Sequence, residues 1–292
     1  MLHFSVTQRL RISAIRYLNP APLMWDFEHP PEMTRLAERY RIHRSMPSQC
    51  AAELASGAAD IGLIPIASYA SIPGLVIIPG CTIASLDRVR SILLVVKSPA
   101  DLRRVRRVAA DNDSRTSNAY AQIIFRKFYA NDPEFVPHAP NLDTMLASCD
   151  AAVLIGDPAL LALEDQAARL DRTGQRLEYL DMAHLWKQHT GVPWVSAFWA
   201  VRSQAMEASE MDAHELIEDF TGSRDHGMAH VEDLAREWGP RLPVPASTIR
   251  TYLSENIHYV LDEQCLTGLE QFFRYAAECG VLPPAPHLNF LL

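Results

Sequence analysis

Up to Val201 the chain alternates short apolar runs with helically patterned segments, and after Asp212 only helical patterning remains. Arg11–Ile15, Ile61–Ile66, Val76–Ile78 and Ser91–Val96 predict strands, with helices at Glu32–Tyr40 and Ser48–Ser56. A polar break at Lys97-Ser98-Pro99 opens a second series: strand Val105–Ala110, helix Ser117–Tyr129, strand Glu134–Val136, helix Leu142–Ser148, strand Ala151–Ile155 and helix Ala159–Ala168. Strands that alternate with helices imply a parallel α/β sheet, because parallel neighbours need a crossover long enough to hold a helix. Trp194–Val201 reads as a long aromatic strand. Ala213–Phe220, His226–Trp238, Ala246–Val260 and Glu263–Cys279 read as helices, before an irregular tail with Pro283, Pro284 and Pro286.

This order predicts an α/β chain of two lobes. Residues 1–96 and 200–292 form the first, residues 97–199 the second, and the chain crosses between them near Leu93–Ser98 and Val195–Arg202. A helical C-terminal region covers the first lobe. A chain of 292 residues also stands at the length where a single hydrophobic core stops growing. Open α/β sheets bind ligands beyond the carboxyl ends of their strands, so the cleft between lobes is the expected site.

Composition narrows the partners. With 48% apolar residues and a net charge of -8, the chain is neither disordered nor a general nucleic-acid binder. Small anions remain open, since helix ends hold them by local geometry. The five cysteines are widely spaced with no C-x-x-C, which reads as reduced thiols. The opening MLHFSVTQRL lacks a secretory pattern, and no run nears the roughly 18 apolar residues of a membrane span. A cytoplasmic protein with no membrane association is expected. Monomer and homodimer both stay open.

Dinucleotide, P-loop and G-x-S-x-G signatures are absent. His226 and His230 have i, i+4 spacing, but Gly227 lies between them and no third ligand is evident, so no metal is expected. Five segments at strand ends carry the candidate chemistry. Arg16-Tyr17-Leu18-Asn19-Pro20 offers an amide that orients without titrating, although an Asn-Pro turn needs nothing more than local bonding. Met46-Pro47-Ser48-Gln49 opens a helix, with Ser48 suited to the N-cap. Asp113-Ser114-Arg115-Thr116-Ser117 crowds hydroxyls and a guanidinium at one helix start, more than a cap requires, and fits a carboxylate or phosphate. Leu154-Ile155-Gly156-Asp157-Pro158 combines a permissive backbone with a carboxylate for capping or for a substrate hydroxyl. Asp87-Arg88-Val89-Arg90-Ser91 leads into a strand with Ser91 near the crossing. None of the five contains histidine. The residues alone describe an anion-binding cleft with the reaction unspecified.

The order of YLNPAPL, DIGLIPIASYASIPG, RVRSILLV, DNDSRTSNAY, LIGDPALLAL and HLWKQHTGVPWVSAFWA resembles the chorismate dehydratases of the futalosine route to menaquinone. The likeness runs from Arg11 to Val201 and continues more weakly through NIHYVL and GLEQFFRYAAECGVL. It implies a type II periplasmic-binding-protein fold and loss of water from chorismate to give 3-[(1-carboxyvinyl)oxy]benzoate, without cofactor or metal. It implies Asn19 and Ser91 as catalytic residues. Tyr17, Ser48, Ser114, Arg115, Thr116, Ser117, Gly156 and Asp157 would bind substrate. Asn112-Asp113 stands where Thr-Ser is usual in that family. The related 1,4-dihydroxy-6-naphthoate synthase, with a Ser-Pro turn after its first strand, and a non-catalytic solute-binding protein for a small carboxylate are the alternatives.

Overall fold

The computed structural model describes residues 9–209, 211–284 and 287–292. Residues 1–8 of the opening segment, and Pro286 of the tail, lie outside that range. The ten strands among the described residues are β1 (Leu10–Ile15), β2 (Tyr40–Ser45), β3 (Ile61–Pro65), β4 (Leu75–Ser85), β5 (Ile92–Lys97), β6 (Arg107–Asp111), β7 (Glu134–His138), β8 (Ala151–Ile155), β9 (Leu177–Asp181) and β10 (Trp194–Arg202). They form two five-stranded sheets, ordered β2-β1-β3-β10-β4 and β7-β6-β8-β5-β9.

Both sheets are mixed rather than wholly parallel. β10 runs antiparallel to β3 and β4. β5 runs antiparallel to β8 and β9. The remaining pairs are parallel, with helices as crossovers. The expected assignment of residues up to 96 to the first lobe is corrected here: β5 lies inside the second sheet, hydrogen-bonded on both edges. The chain therefore leaves the first sheet after Ser85 and re-enters it at Trp194, which also moves the strand at 194–199 out of the second lobe.

β5 shows why a continuous apolar run becomes a strand. Ile92, Leu94 and Val96 join the main core, while Leu93 and Val95 join a smaller one with Met145, Leu146 and Leu154. Period-two alternation sends successive side chains to opposite faces, and helices cover both. β8 does the same, with Ala151, Val153 and Ile155 on one face and Ala152 and Leu154 on the other.

Several elements depart from the pattern-based expectation. β2 and β9 lie at sheet edges and carry polar outward residues such as Arg41 and Glu178, so no apolar run marks them. β4 is eleven residues long, because Pro79-Gly80 interrupts its pattern without ending it; its pairing with β10 shifts register across that stretch. The helix at Ala246 ends at Thr251 and gives way to a π-turn over Tyr252–Asn256. Gly227 lies within one continuous helix, Ala213–Ala229. A Cβ there would come 2.0 Å from the Pro22 carbonyl oxygen, so the glycine permits a close approach rather than breaking the helix. The two flanking histidines do not converge. His226 Nδ1 contacts the Asp26 carboxylate at 2.9 Å, whereas the His230 ring stacks on Trp25.

Candidate active site

The carboxyl ends of β1 and β3 face those of β6 and β8 across one cavity with an empty volume of about 440 Å³. Tyr17 and Asn19 reach it from the turn after β1, and Ser91 and Ile92 from the start of β5. Ser114, Arg115, Thr116 and Ser117 reach it from the start of the Arg115–Tyr129 helix, and Gly156 from the end of β8. Eight of the ten expected residues are thus gathered at one place. Asp113 and Ser196 join them on the wall.

Ser48 and Asp157 do not line the cavity. Ser48 is the second residue of its helix; Met46 occupies the N-cap. The Ser48 hydroxyl donates to Asp113 Oδ1 at 2.8 Å. Asp157 Oδ1 accepts from the Leu18 backbone N–H at 2.9 Å. A third bond of the same kind runs from the Ala67 N–H to Thr116 Oγ1, at 3.2 Å. All three join a segment that follows a strand of the first sheet to one that follows a strand of the second. Ser48 and Asp157, both expected to hold substrate, thus tie the walls of the cleft together.

The Arg115–Tyr129 helix begins after Ser114, whose side chain makes no capping bond. A helix start carries N–H groups without intrahelical acceptors and the positive end of the dipole. With the Arg115 guanidinium and the Ser114 and Ser117 hydroxyls, this end of the cavity concentrates hydrogen-bond donors of the kind a carboxylate accepts from. The opposite wall is different. Asn19 Oδ1 and the Tyr17 hydroxyl are buried with no hydrogen-bond partner. Unpaired buried polar atoms cost free energy, so each calls for a partner that a ligand can supply.

Gly156, on the cavity wall, also makes room for Tyr17. Its φ is +61°, and a Cβ there would lie 2.5 Å from Tyr17 Cδ2. The tyrosine ring therefore occupies the space that the missing side chain leaves. Gly156 N–H also donates to the Ser91 carbonyl at 2.8 Å, which carries the β5–β8 pairing up to the cavity edge.

Acidic groups lie close behind the wall. Burial pushes the Asp111 carboxyl up to about 6, and the neighbouring Asp113 charge adds to this, against hydrogen bonds from the Asp113 and Ile155 N–H groups. Burial likewise pushes Asp157 up to about 6, opposed by the Leu18 N–H and Arg16. Burial, with the charges of Asp111, Asp113 and Asp157, holds the Tyr17 phenol well above its ordinary value, so it is a neutral donor at any working pH.

Asp111 and Asp157 set a sign for pH dependence. Both titrate higher in the folded chain than in the unfolded one. Between about pH 6 and pH 4 the native state holds protons that the unfolded chain has released, so their contribution to stability grows as pH falls through that window and is smallest at neutral pH. Asp157→Asn keeps an acceptor for Leu18 and removes the buried charge. We expect it to raise Tm at pH 7.5 by about 2–4 °C and to flatten the pH 4–7 profile relative to the parent protein. Thermal unfolding across that range reads both, and an unaltered profile would contradict the assignment.

Sequence reasoning passed over Asp113 and Ser196. Asp113 belongs to one of the five segments, and its position where the resembled family carries a hydroxyl is the available signal. Ser196 is a polar residue inside an apolar strand, and its Oγ accepts from Trp194 Nε1 at 2.7 Å. Among the described residues, His258, Asp262 and Cys265 lie within metal-ligand distance of one another. They do not line the cavity, and Asp262 caps the Glu263–Glu278 helix through the Cys265 N–H.

Two mixed α/β sheets with a ligand cavity between them define a protein of the periplasmic-binding-protein architecture. The periplasmic aliphatic sulphonate binding protein of Escherichia coli superposes with a TM-score of 0.64 at 14% identity, over 94% of this chain and 88% of that one. An Archaeoglobus fulgidus protein superposes at 0.68 with 16% identity, over 96% and 100%. The profile of a family described as menaquinone biosynthesis matches residues 10–278, and the chain belongs to that family. A chorismate dehydratase of Thermus thermophilus is 29% identical over 281 residues, covering 93% of this chain and 95% of the relative.

Proposed function

We propose that the protein is a chorismate dehydratase, converting chorismate to 3-[(1-carboxyvinyl)oxy]benzoate and water in the cytoplasm, within the futalosine route. The observation that carries this reading is one cavity that joins a helix start without a side-chain cap to Asn19 and Ser91, in a chain similar to a chorismate dehydratase over nearly its whole length. Chorismate has two carboxylates, a ring hydroxyl and an enolpyruvyl ether. One carboxylate fits the helix start with Arg115, Ser114 and Ser117. The ring hydroxyl fits the unpartnered acceptor of Asn19.

The reaction removes the ring proton next to the ether and expels the neighbouring hydroxyl. The electron pair left on carbon completes the aromatic ring, so the driving force is large and the main task is orientation. No histidine lines the cavity among the described residues, and its one carboxylate, Asp113, accepts the Ser48 hydroxyl. We assign the proton to the substrate's own enolpyruvyl carboxylate. Asn19 orients the reacting groups, and Ser91 hydrogen-bonds beside them. Tyr17, Thr116, Gly156 and Asp157 keep the walls of the cleft in register. The two sheets are read as two lobes, with the helices after β10 covering the first.

Incubation of purified protein with chorismate, followed by absorbance and mass, tests the reading. Loss of one water per substrate is expected, and Asp113→Asn is expected to retain kcat within about fivefold, because the substrate supplies its own base. Binding without conversion would make the protein a solute-binding relative. A collapse of turnover in Asp113→Asn, with chorismate still bound, would move the base to Asp113.

A further inference from the structure

Two wholly buried tyrosines from the C-terminal region reach the candidate catalytic residues. Tyr252, 1% exposed, lies in the π-turn, and its hydroxyl donates to Ser91 Oγ at 2.7 Å. Tyr259, 3% exposed, donates to the Asn19 carbonyl at 2.9 Å. Neither lines the cavity. The π-turn is the local irregularity that brings Tyr252 under β5, and such one-turn insertions recur where a side chain must be re-aimed.

A serine hydroxyl has one hydrogen and two acceptor lone pairs. The Tyr252 hydroxyl occupies one lone pair of Ser91 Oγ. Burial pushes the Tyr252 phenol upward, so it stays protonated and remains a donor. No acceptor within the protein takes the Ser91 hydrogen among the described residues, and Ser91 lines the cavity. Its hydrogen is therefore left for a ligand.

We propose that Tyr252 is a positioning residue which fixes Ser91 as a hydrogen-bond donor to the departing ring hydroxyl of the substrate. This rests on the chorismate reading above. In the step, the carbon–oxygen bond breaks and its electron pair stays on the hydroxyl oxygen. The enolpyruvyl carboxylate holds the proton taken from the neighbouring ring carbon and passes it to that oxygen, so water leaves. Ser91 keeps its own proton throughout and lowers the barrier by hydrogen bonding to the charge that develops on oxygen. Without the donation from Tyr252, the Ser91 hydroxyl can rotate its hydrogen away from the substrate. It then acts as an acceptor for part of the time.

Tyr252→Phe keeps the ring and removes the donor. Its kcat for chorismate is expected to fall about tenfold while KM stays within about threefold. In a Ser91→Ala background the same change is expected to alter kcat by less than about twofold, because the effect travels through Ser91. An equal loss in both backgrounds, or a Tyr252→Phe enzyme within about twofold of the parent, overturns the proposal. A second readout does not depend on turnover. In protein labelled with 3-fluorotyrosine, the fluorine signal missing from Tyr252→Phe is that of Tyr252. It is expected to shift in Ser91→Ala and again when the parent protein binds 3-[(1-carboxyvinyl)oxy]benzoate. A parent protein that leaves chorismate intact defeats the reaction reading. The coupling then stands or falls on the fluorine signal, and one that Ser91→Ala leaves unmoved defeats the positioning role.

Discussion

Replacing Asn19 with alanine is expected to lower kcat for chorismate about 10²–10³-fold, with the fold intact and KM changed by less than about fivefold. Loss of one preorganised hydrogen-bonding group at developing charge typically has that effect. Asn19 is the amide in this cavity whose Oδ1 is buried and unpartnered, while its backbone carbonyl is held by Tyr259. The residue therefore has its main chain anchored and its side chain free for a ligand. The alanine variant removes the side chain and leaves the anchor, so circular dichroism and the denaturation midpoint should match the parent. Steady-state kinetics on chorismate decides the matter: turnover within tenfold of the parent would take Asn19 out of the chemistry. Asn19→Asp is expected to be as slow, with a higher KM, because it sets a carboxylate against an anionic substrate.

Gly156→Ala should be the most damaging small substitution at the site. At φ +61° an alanine costs roughly 1–2 kcal/mol of backbone strain. Its Cβ would also lie 2.5 Å from the Tyr17 ring, and forcing a buried ring aside costs about 1–3 kcal/mol more. A total loss of about 2–5 kcal/mol should appear as a lower denaturant midpoint. Displacement of Tyr17 should cut kcat/KM at least about tenfold. The double variant Tyr17→Ala, Gly156→Ala is expected to be less destabilised than the sum of the two single changes, since the clash disappears while the backbone cost stays. A single variant as stable as the parent, or strictly additive losses, would show that the ring does not press on this glycine.

What could be read in advance follows from how each residue announces itself. The apolar runs of β3, β5, β8 and β10 are buried on both faces, so their residues stand out in any pass along the chain. β2 and β9 gave no such sign, because edge strands carry arginine and glutamate toward water. Sheet membership was less legible still. β5 is as apolar as its neighbours on either side of the crossing, and only pairing decides which sheet receives it. At the site, an excess of hydroxyls before the Arg115–Tyr129 helix pointed to the cavity. The bonds that Ser48, Thr116 and Asp157 make across the cleft depend on how the two sheets meet, and no local pattern encodes that. Tyr252 and Tyr259 read as two aromatic residues of a helical tail, with nothing in their spacing to link them to Ser91 or Asn19.

The position of β10 between β3 and β4 has a consequence for the order of assembly. The second sheet is built from one uninterrupted stretch, β5 to β9, whereas β4 has β10 as its one strand neighbour in the first. During vectorial synthesis every strand of the second sheet is made before β10. Until then β4, eleven residues long, has no strand to pair with, and an unpaired apolar strand is a template for contacts with other chains. Tyr252 and Tyr259 are made later again. A nascent chain thus passes through a stage with one finished sheet and one open one, and its cleft gains the buried hydroxyls that hold Ser91 and Asn19 only after both sheets are complete.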